Sequence, residues 1–293
     1  VFVDGQWKKV TTQITREKSE NQKQRLALRI QKHNPDIIVG TEVKDIESAS
    51  AYSRDYLKDE YQAILVEGND SRGIDICYFV RRSLQLDLEV ESFKNYGMKS
   101  DGRPVFSRDF PMLLLRQAGA SKSSAPLMAI FGTHLKSRLG DTEGHDKSQD
   151  KRAEQVLASI QVMQEVQTRY PGLPILMAGD FNNNVQKAVE FLPFYLQMGL
   201  IDSLDLSKNP IPKDQRYTQY FATDIDPNSP GWEMIANQLD AMFVNKQLAK
   251  FILSSFIQRD IGLDGTDTPF PKKSQNVNSR GSDHDGIVTV IDI

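Results

Sequence analysis

The chain has 293 residues, with 36 Lys and Arg against 39 Asp and Glu, a net charge of −3 and one cysteine. A composition of 39% hydrophobic and 26% charged residues is that of an ordinary globular protein and excludes wholesale disorder. Cys77 alone makes no internal disulfide and no thiolate metal knuckle, and the negative total leaves any polyanion to be held by a local basic surface.

The chain opens at Val1 without a methionine or a basic-then-apolar targeting signature, which leaves a cytoplasmic protein and an exported one with its signal peptide removed both open. No apolar run approaches the roughly 20 residues that span a bilayer. Residues 8–32 carry eight basic side chains (Lys8, Lys9, Arg16, Lys18, Lys23, Arg25, Arg29 and Lys32) against Glu17 and Glu20. Leu26, Ala27 and Ile30 give this stretch a narrow apolar stripe, so it reads as a helix over 17–34 that stops at Asn34-Pro35. Such a charge run is first of all a solvated face, with phosphate attraction as the alternative.

Short apolar runs of strand character follow: 37–39, 63–66, 76–80, 112–115, 127–131, 175–177, 241–244 and 287–291. Two helices interrupt them. One runs from Arg152 to Tyr170, where Ala153, Val156, Leu157, Ile160, Met163 and Val166 recur at three- and four-residue intervals. The other is an aromatic segment from Val185 to Met198. Stretches 97–110, 137–150, 207–238 and 258–283 read as loops. No Pro/Gly/Ser-rich linker divides the chain, so residues 1–293 read as one domain, and many strands with few helices suggest a layered α/β fold with a mixed or antiparallel sheet.

The chemistry lies at the strand ends. Ile37-Ile38-Val39-Gly40-Thr41 runs into Glu42, Met128 to Thr133 runs into His134, and Ile175 to Gly179 runs into Asp180-Phe181-Asn182. Two later strands begin that way instead: Asp240 precedes Ala241 to Val244, and Ser282-Asp283-His284 precedes Ile287 to Val290. Taken singly, each residue reads as turn or cap chemistry. Five repeats of the same placement point to one shared pocket. For all five to meet at one sheet edge, the last two strands must run opposite to the first three.

In this order the segments Gly40-Thr41-Glu42, Gly73-Ile74-Asp75-Ile76, Thr133-His134-Leu135-Lys136-Ser137, Gly179-Asp180-Phe181-Asn182, Leu239-Asp240 and Ser282-Asp283-His284 resemble the endonuclease/exonuclease/phosphatase superfamily. These are metal-dependent phosphoesterases that include pancreatic deoxyribonuclease. The resemblance implies a four-layer α/β sandwich, two packed and mainly antiparallel sheets flanked by helices. It implies Glu42, helped by Asp283, as the Mg²⁺ or Mn²⁺ ligand, and Asp180 and Asn182 as the residues that orient water and phosphate. His284 would contact the phosphoryl oxygen or take the water proton, with Asp240 holding its ring. His134 would be an acid at the leaving oxygen, with Asp75 as its carboxylate partner. Arg108 would contact phosphate, with Arg103 as the second candidate. The superfamily's first strand carries an Asn that Val1 to Val10 does not supply, so that strand is expected either upstream of Val1 or not at all.

The two-histidine pattern resembles the nuclease branch, which makes a nucleic acid the expected substrate of a monomeric hydrolase. A small phosphoester or a phospholipid headgroup, as in sphingomyelinase-like members, is the alternative, and a catalytically dead binding module is the third reading. Asn237-Gln238-Leu239-Asp240 stands where the inositol-phosphatase branch has a Trp-Cys-Asp-Arg-type run, which argues against that branch.

Overall fold

The computed structural model describes residues 2–3, 6–7, 17–97, 102–121, 123–138, 147–222, 234–268 and 280–293. At the start, Phe2–Val3 (β1) pairs with Gln6–Trp7 (β2). Helix α1, Glu20–His33, starts at Ser19, whose hydroxyl accepts from the Gln22 N–H while the Gln22 side chain caps the Ser19 N–H. It stops at Asn34, which takes the left-handed conformation. Strand β3 (Ile37–Val43), helix α2 (Ile46–Tyr56), and strands β4 (Tyr61–Leu65), β5 (Asp75–Arg81), β6 (Leu86–Glu91), β7 (Met112–Gln117) and β8 (Met128–His134) follow. Helix α3 (Lys147–Arg169) leads to β9 (Ile175–Asp180), α4 (Leu192–Leu196), β10 (Ile201–Asp202), β11 (Gln219–Ala222) and β12 (Met234–Asn237). The chain closes with β13 (Asp240–Val244), α5 (Lys246–Ala249), β14 (Ile252–Gln258) and β15 (Gly286–Ile291).

The main sheet has the order β10-β13-β9-β8-β7-β6, and every pair in it is antiparallel except β8 with β9. A second sheet, β3-β5-β4, and the β14–β15 pair lie apart from it in hydrogen bonding. The period of two along each strand sorts the side chains into layers. Leu113, Leu115, Met128, Ile130, Leu176 and Ala178 pack on Tyr78 and Val80 of β5 between the sheets. Their neighbours Met112, Leu114, Ala129, Phe131, Ile175 and Met177 face Val156, Ile160, Met163 and Val166 of α3. On the far side of β5, Cys77 and Phe79 meet Ala27 of α1 and Ala49 of α2. The order is helix, sheet, sheet, helix. Fully burying each large apolar side chain of these layers contributes about 1.5–3 kcal/mol.

Several elements differ from the sequence reading, and the stretch 207–238, read as a loop, contains β11 and β12. The helix expected over 185–198 is a 3-10 turn, Val189–Phe191, followed by the five residues of α4. Pro193, which lacks an N–H, sits in the first turn of α4, and Gly199 follows it at positive φ. Helix α2 was not expected; its signal is the Asp45 cap, which accepts from the Ser48 N–H at 2.6 Å. Strands β6 and β14 were also missed, although Leu86, Leu88 and Val90 alternate with Asp87, Glu89 and Glu91 in β6.

Candidate active site

Three of the candidate residues stand in one row across the main sheet. The parallel register of β8 and β9 sets His134 opposite Asp180, and the antiparallel register of β9 and β13 sets Asp240 opposite Asp180. Neighbouring strands lie about 4.8 Å apart, so the three side chains leave the backbone side by side. Gly179 makes this possible: its φ is +147°, and a Cβ there would lie 1.9 Å from the Thr133 carbonyl oxygen. The His134 Nε2 is 3.7 Å from Asp180 Oδ2. His284, brought in by a single bridge to Gln219, closes on the other end of the row with Nδ1 2.7 Å from Asp240 Oδ2.

The loop after β9 turns on alternating roles. Phe181 is fully buried and meets Phe191, Phe194 and Phe243 edge-on, which anchors the loop in the core. Asn182 adopts a left-handed φ of 56°, its N–H donates to Asp180 Oδ1 at 2.7 Å, and its Nδ2 donates to the Leu135 carbonyl at 3.0 Å. A strained backbone at a functional position persists because its surroundings over-determine it. Arg108 Nη1 donates to that same carbonyl at 2.7 Å. Beneath β13, the buried Thr218 hydroxyl accepts from the Leu239 and Asp240 N–H groups at 3.0 and 2.9 Å.

Charge in this row is strongly redistributed. Burial, and then the Asp240 carboxylate, raise the Asp180 carboxyl. Burial alone would lower His284, but the Asp240 carboxylate outweighs it and raises the imidazole to about 10, so it is a cation at neutral pH. His134 goes the other way: burial, then the Arg108 and Arg72 guanidiniums, push it down to about 3. A buried neutral imidazole and a half-buried imidazolium thus flank one carboxylate pair.

The remaining candidates take different places. Glu42 sits in a bulge of β3 opposite Ile76, where Gly40 pairs with Cys77 and Val43 with Asp75, and its φ of 59° is left-handed. Its carboxylate is exposed, as is that of Asp283 beside His284. Asp75 does not partner His134. Its Oδ1 accepts from the Gly68 N–H at 2.7 Å, because it opens β5 against the 68–75 loop, and the buried His134 Nδ1 has no hydrogen-bond partner among the described residues. Arg108 is buried, with Nε 3.0 Å from Asp70 Oδ2, whereas Arg103 is exposed on the 102–111 loop.

Two residues of the basic stretch turn inward, while Lys18 and Lys32 stay exposed. Arg25 pairs with the buried Asp260, and Arg29 donates to the His284 carbonyl at 3.0 Å. Arg280 and Arg259 bind the two oxygens of the fully buried Asp285 at 2.8 and 3.0 Å. Helix α1 is therefore tied from inside to the loop that carries His284. Lys8, Lys9 and Arg16 lie outside the described residues. Sequence reasoning also missed Thr218, Asp70 and Arg72; only the polar turn Asn69-Asp70-Ser71-Arg72-Gly73 hinted at the last two.

The carboxylates Asp180 and Asp240, with Glu42 and Asp283 exposed near Gly40 and His284 in sequence, are the oxygen donors a hard divalent cation takes. Among the described residues, ligand-capable atoms of Asp180, Asp240 and His284 lie within 4.8 Å of one another, and oxygen donors dominate around them. A cation there would relieve the repulsion that raises Asp180.

No family model matches the chain, and no curated protein matches it by sequence. Solved structures do. The catalytic domain of human Nocturnin with a bound sulfate anion superposes with a TM-score of 0.59 at 15% identity, over 93% of this chain and 87% of its own. A TDP2 from D. rerio complexed with a single-strand DNA product gives 0.56 at 16%, over 96% and 94%. A mannosyl-6-phosphatase from Bacteroides thetaiotaomicron gives 0.55 at 18%, over 92% and 91%. Likeness at these identities establishes the fold.

Proposed function

On the premise that this chain has the endonuclease/exonuclease/phosphatase fold, we propose that it is a divalent-metal-dependent phosphoesterase that hydrolyses phosphodiester bonds of DNA or RNA. The observation that carries this reading is the row His134–Asp180–Asp240, closed by the 2.7 Å contact of Asp240 with His284. Asp180, with its raised carboxyl, takes the proton of an attacking water that Asn182 helps to orient. His284, charged and held at Nδ1 by Asp240, donates from Nε2 to a phosphoryl oxygen and stabilises the charge that develops there. His134 contributes a neutral imidazole beside Asp180. Glu42 and Asp283 are the carboxylates that would hold Mg²⁺ or Mn²⁺, with Asp180 and Asp240 close by. Such an ion, when bound, polarises the phosphoryl oxygen and neutralises developing charge.

The single-strand DNA product in the D. rerio TDP2 structure supports a nucleic-acid substrate. A small phosphoester is the second reading, favoured by the likeness to a mannosyl-6-phosphatase and by the inward turn of Arg25 and Arg29. A panel with Mg²⁺ decides between them: single- and double-stranded DNA, RNA, sphingomyelin, a phosphoinositide and a hexose 6-phosphate. Cleavage of a nucleic acid with the highest kcat/KM is the expected result. A preference of tenfold or more for the sugar phosphate or a lipid would move the assignment to the second reading.

A further inference from the structure

Arg72, in the turn between β4 and β5, has no part in the chemistry above. Asp70 grips one edge of its guanidinium, with Nε 3.0 Å from Oδ1 and Nη2 2.8 Å from Oδ2, and also accepts from the Arg72 backbone N–H at 2.9 Å. The same Asp70 Oδ2 lies 3.0 Å from Nε of Arg108. One carboxylate, only 9% exposed, thus serves two guanidiniums. Burial works against the charge of Asp70, but Arg72 and Arg108 together hold it down at about 2, so the brace persists at any working pH.

The two arginines divide their duties. Arg108 is buried and spends Nη1 on the Leu135 carbonyl, which also receives the Asn182 side chain. Arg72 is one-third exposed, and its Nη1 has no protein partner among the described residues. A chain of contacts therefore runs from solvent to the loop beside Asp180: Arg72 is hydrogen-bonded to Asp70, Asp70 forms an ion pair with Arg108, and Arg108 shares the Leu135 carbonyl with Asn182. The Glu42 carboxylate favours the charged form of Arg72, and the charge of Arg72 in turn disfavours a charged His134. A guanidinium with one edge fixed by a carboxylate and the other turned to water is preorganised for phosphate oxygens, since little rotamer freedom is left to lose on binding.

We propose that Arg72 is a phosphate-binding residue for the nucleic-acid strand, taking a non-bridging oxygen through its free edge, with Asp70 as the positioning residue that aims it. The proposal rests on the nucleic-acid reading of the site. It is tested by the anisotropy of fluorescein-labelled oligothymidylate of eight nucleotides in EDTA, measured from 50 to 300 mM salt. Arg72→Gln is expected to bind about tenfold more weakly, and the slope of log affinity against log salt should become shallower by about 0.7, the value for one lost phosphate contact on a single strand. Arg72→Lys should keep the wild-type slope while losing part of the affinity, and Asp70→Asn should weaken binding although it removes a negative charge. Wild-type affinity and slope in Arg72→Gln would overturn the proposal, as would tighter binding by Asp70→Asn. Wild-type hydrolysis of bis-p-nitrophenyl phosphate with Mg²⁺ is measured in parallel, and its absence would overturn the phosphoesterase reading without touching the binding result.

Discussion

Replacing Asp180 with asparagine is expected to lower kcat on a phosphodiester by about 10³-fold, within the range of a lost general base, and to leave the protein at least as stable as before. The two effects have one origin. Asp180 is buried, faces the Asp240 carboxylate across the register, and has its carboxyl raised by both. A group whose folded-state pKa lies above its unfolded value opposes folding once it is ionised, so that cost grows as the pH rises above the unfolded value. The amide keeps the shape and one acceptor for the Asn182 N–H, and carries no charge to bury. Thermal midpoints of the metal-free proteins at pH 8 should be equal or higher for Asp180→Asn. A variant that keeps more than a tenth of wild-type turnover would remove Asp180 from water activation. A large fall in its midpoint would show that the carboxylate is a structural group.

The second large effect lies one layer away. Arg152 of α3 is fully buried, with Nε 2.9 Å from Glu190 Oε1 and Nη1 3.2 Å from the Lys136 carbonyl. Asn183 donates to the same Glu190 oxygen at 2.8 Å. One turn on, Gln155 accepts from the Lys136 N–H at 2.9 Å and donates to the Ser107 hydroxyl at 2.8 Å. The loops that follow β8 and β9 are thus seated on the first turns of α3. Removing one partner of a buried pair leaves an uncompensated charge, at a cost of about 3–5 kcal/mol. Arg152→Met should lose that much in urea unfolding, and Arg152→Met/Glu190→Gln should recover at least half, because the glutamine carbonyl still accepts from Asn183. A loss below about 1 kcal/mol for the single variant would contradict this seating.

What the sequence revealed, and what it hid, follows from the range of the interactions. The runs 112–115, 127–131 and 175–177 are dense in apolar residues because both faces of those strands are covered, by α3 and by β5, and that density is visible locally. The placement of His134, Asp180 and Asp240 at strand ends is equally local, but their row depends on the parallel register of β8 and β9, which no single segment encodes. Residues 8–32 read as a solvated charge run because Asp260 and Asp285, which bury Arg25 and Arg29, lie more than 200 positions away. The order of segments suggests Asp75 as the partner of His134, but the Gly68 N–H, seven positions away, donates to its Oδ1. Asp70 and Arg72 resemble any polar turn until Arg108 arrives from another loop to share the carboxylate.

The measurement that bears most directly on the central claim is the hydrolysis of bis-p-nitrophenyl phosphate by the intact chain before and after chelation. Turnover should vanish in EDTA and return with added Mg²⁺ or Mn²⁺, because oxygen donors such as Glu42, Asp180, Asp240 and Asp283 take a hard cation and otherwise repel a phosphate. Turnover that continues undiminished in EDTA would contradict the account.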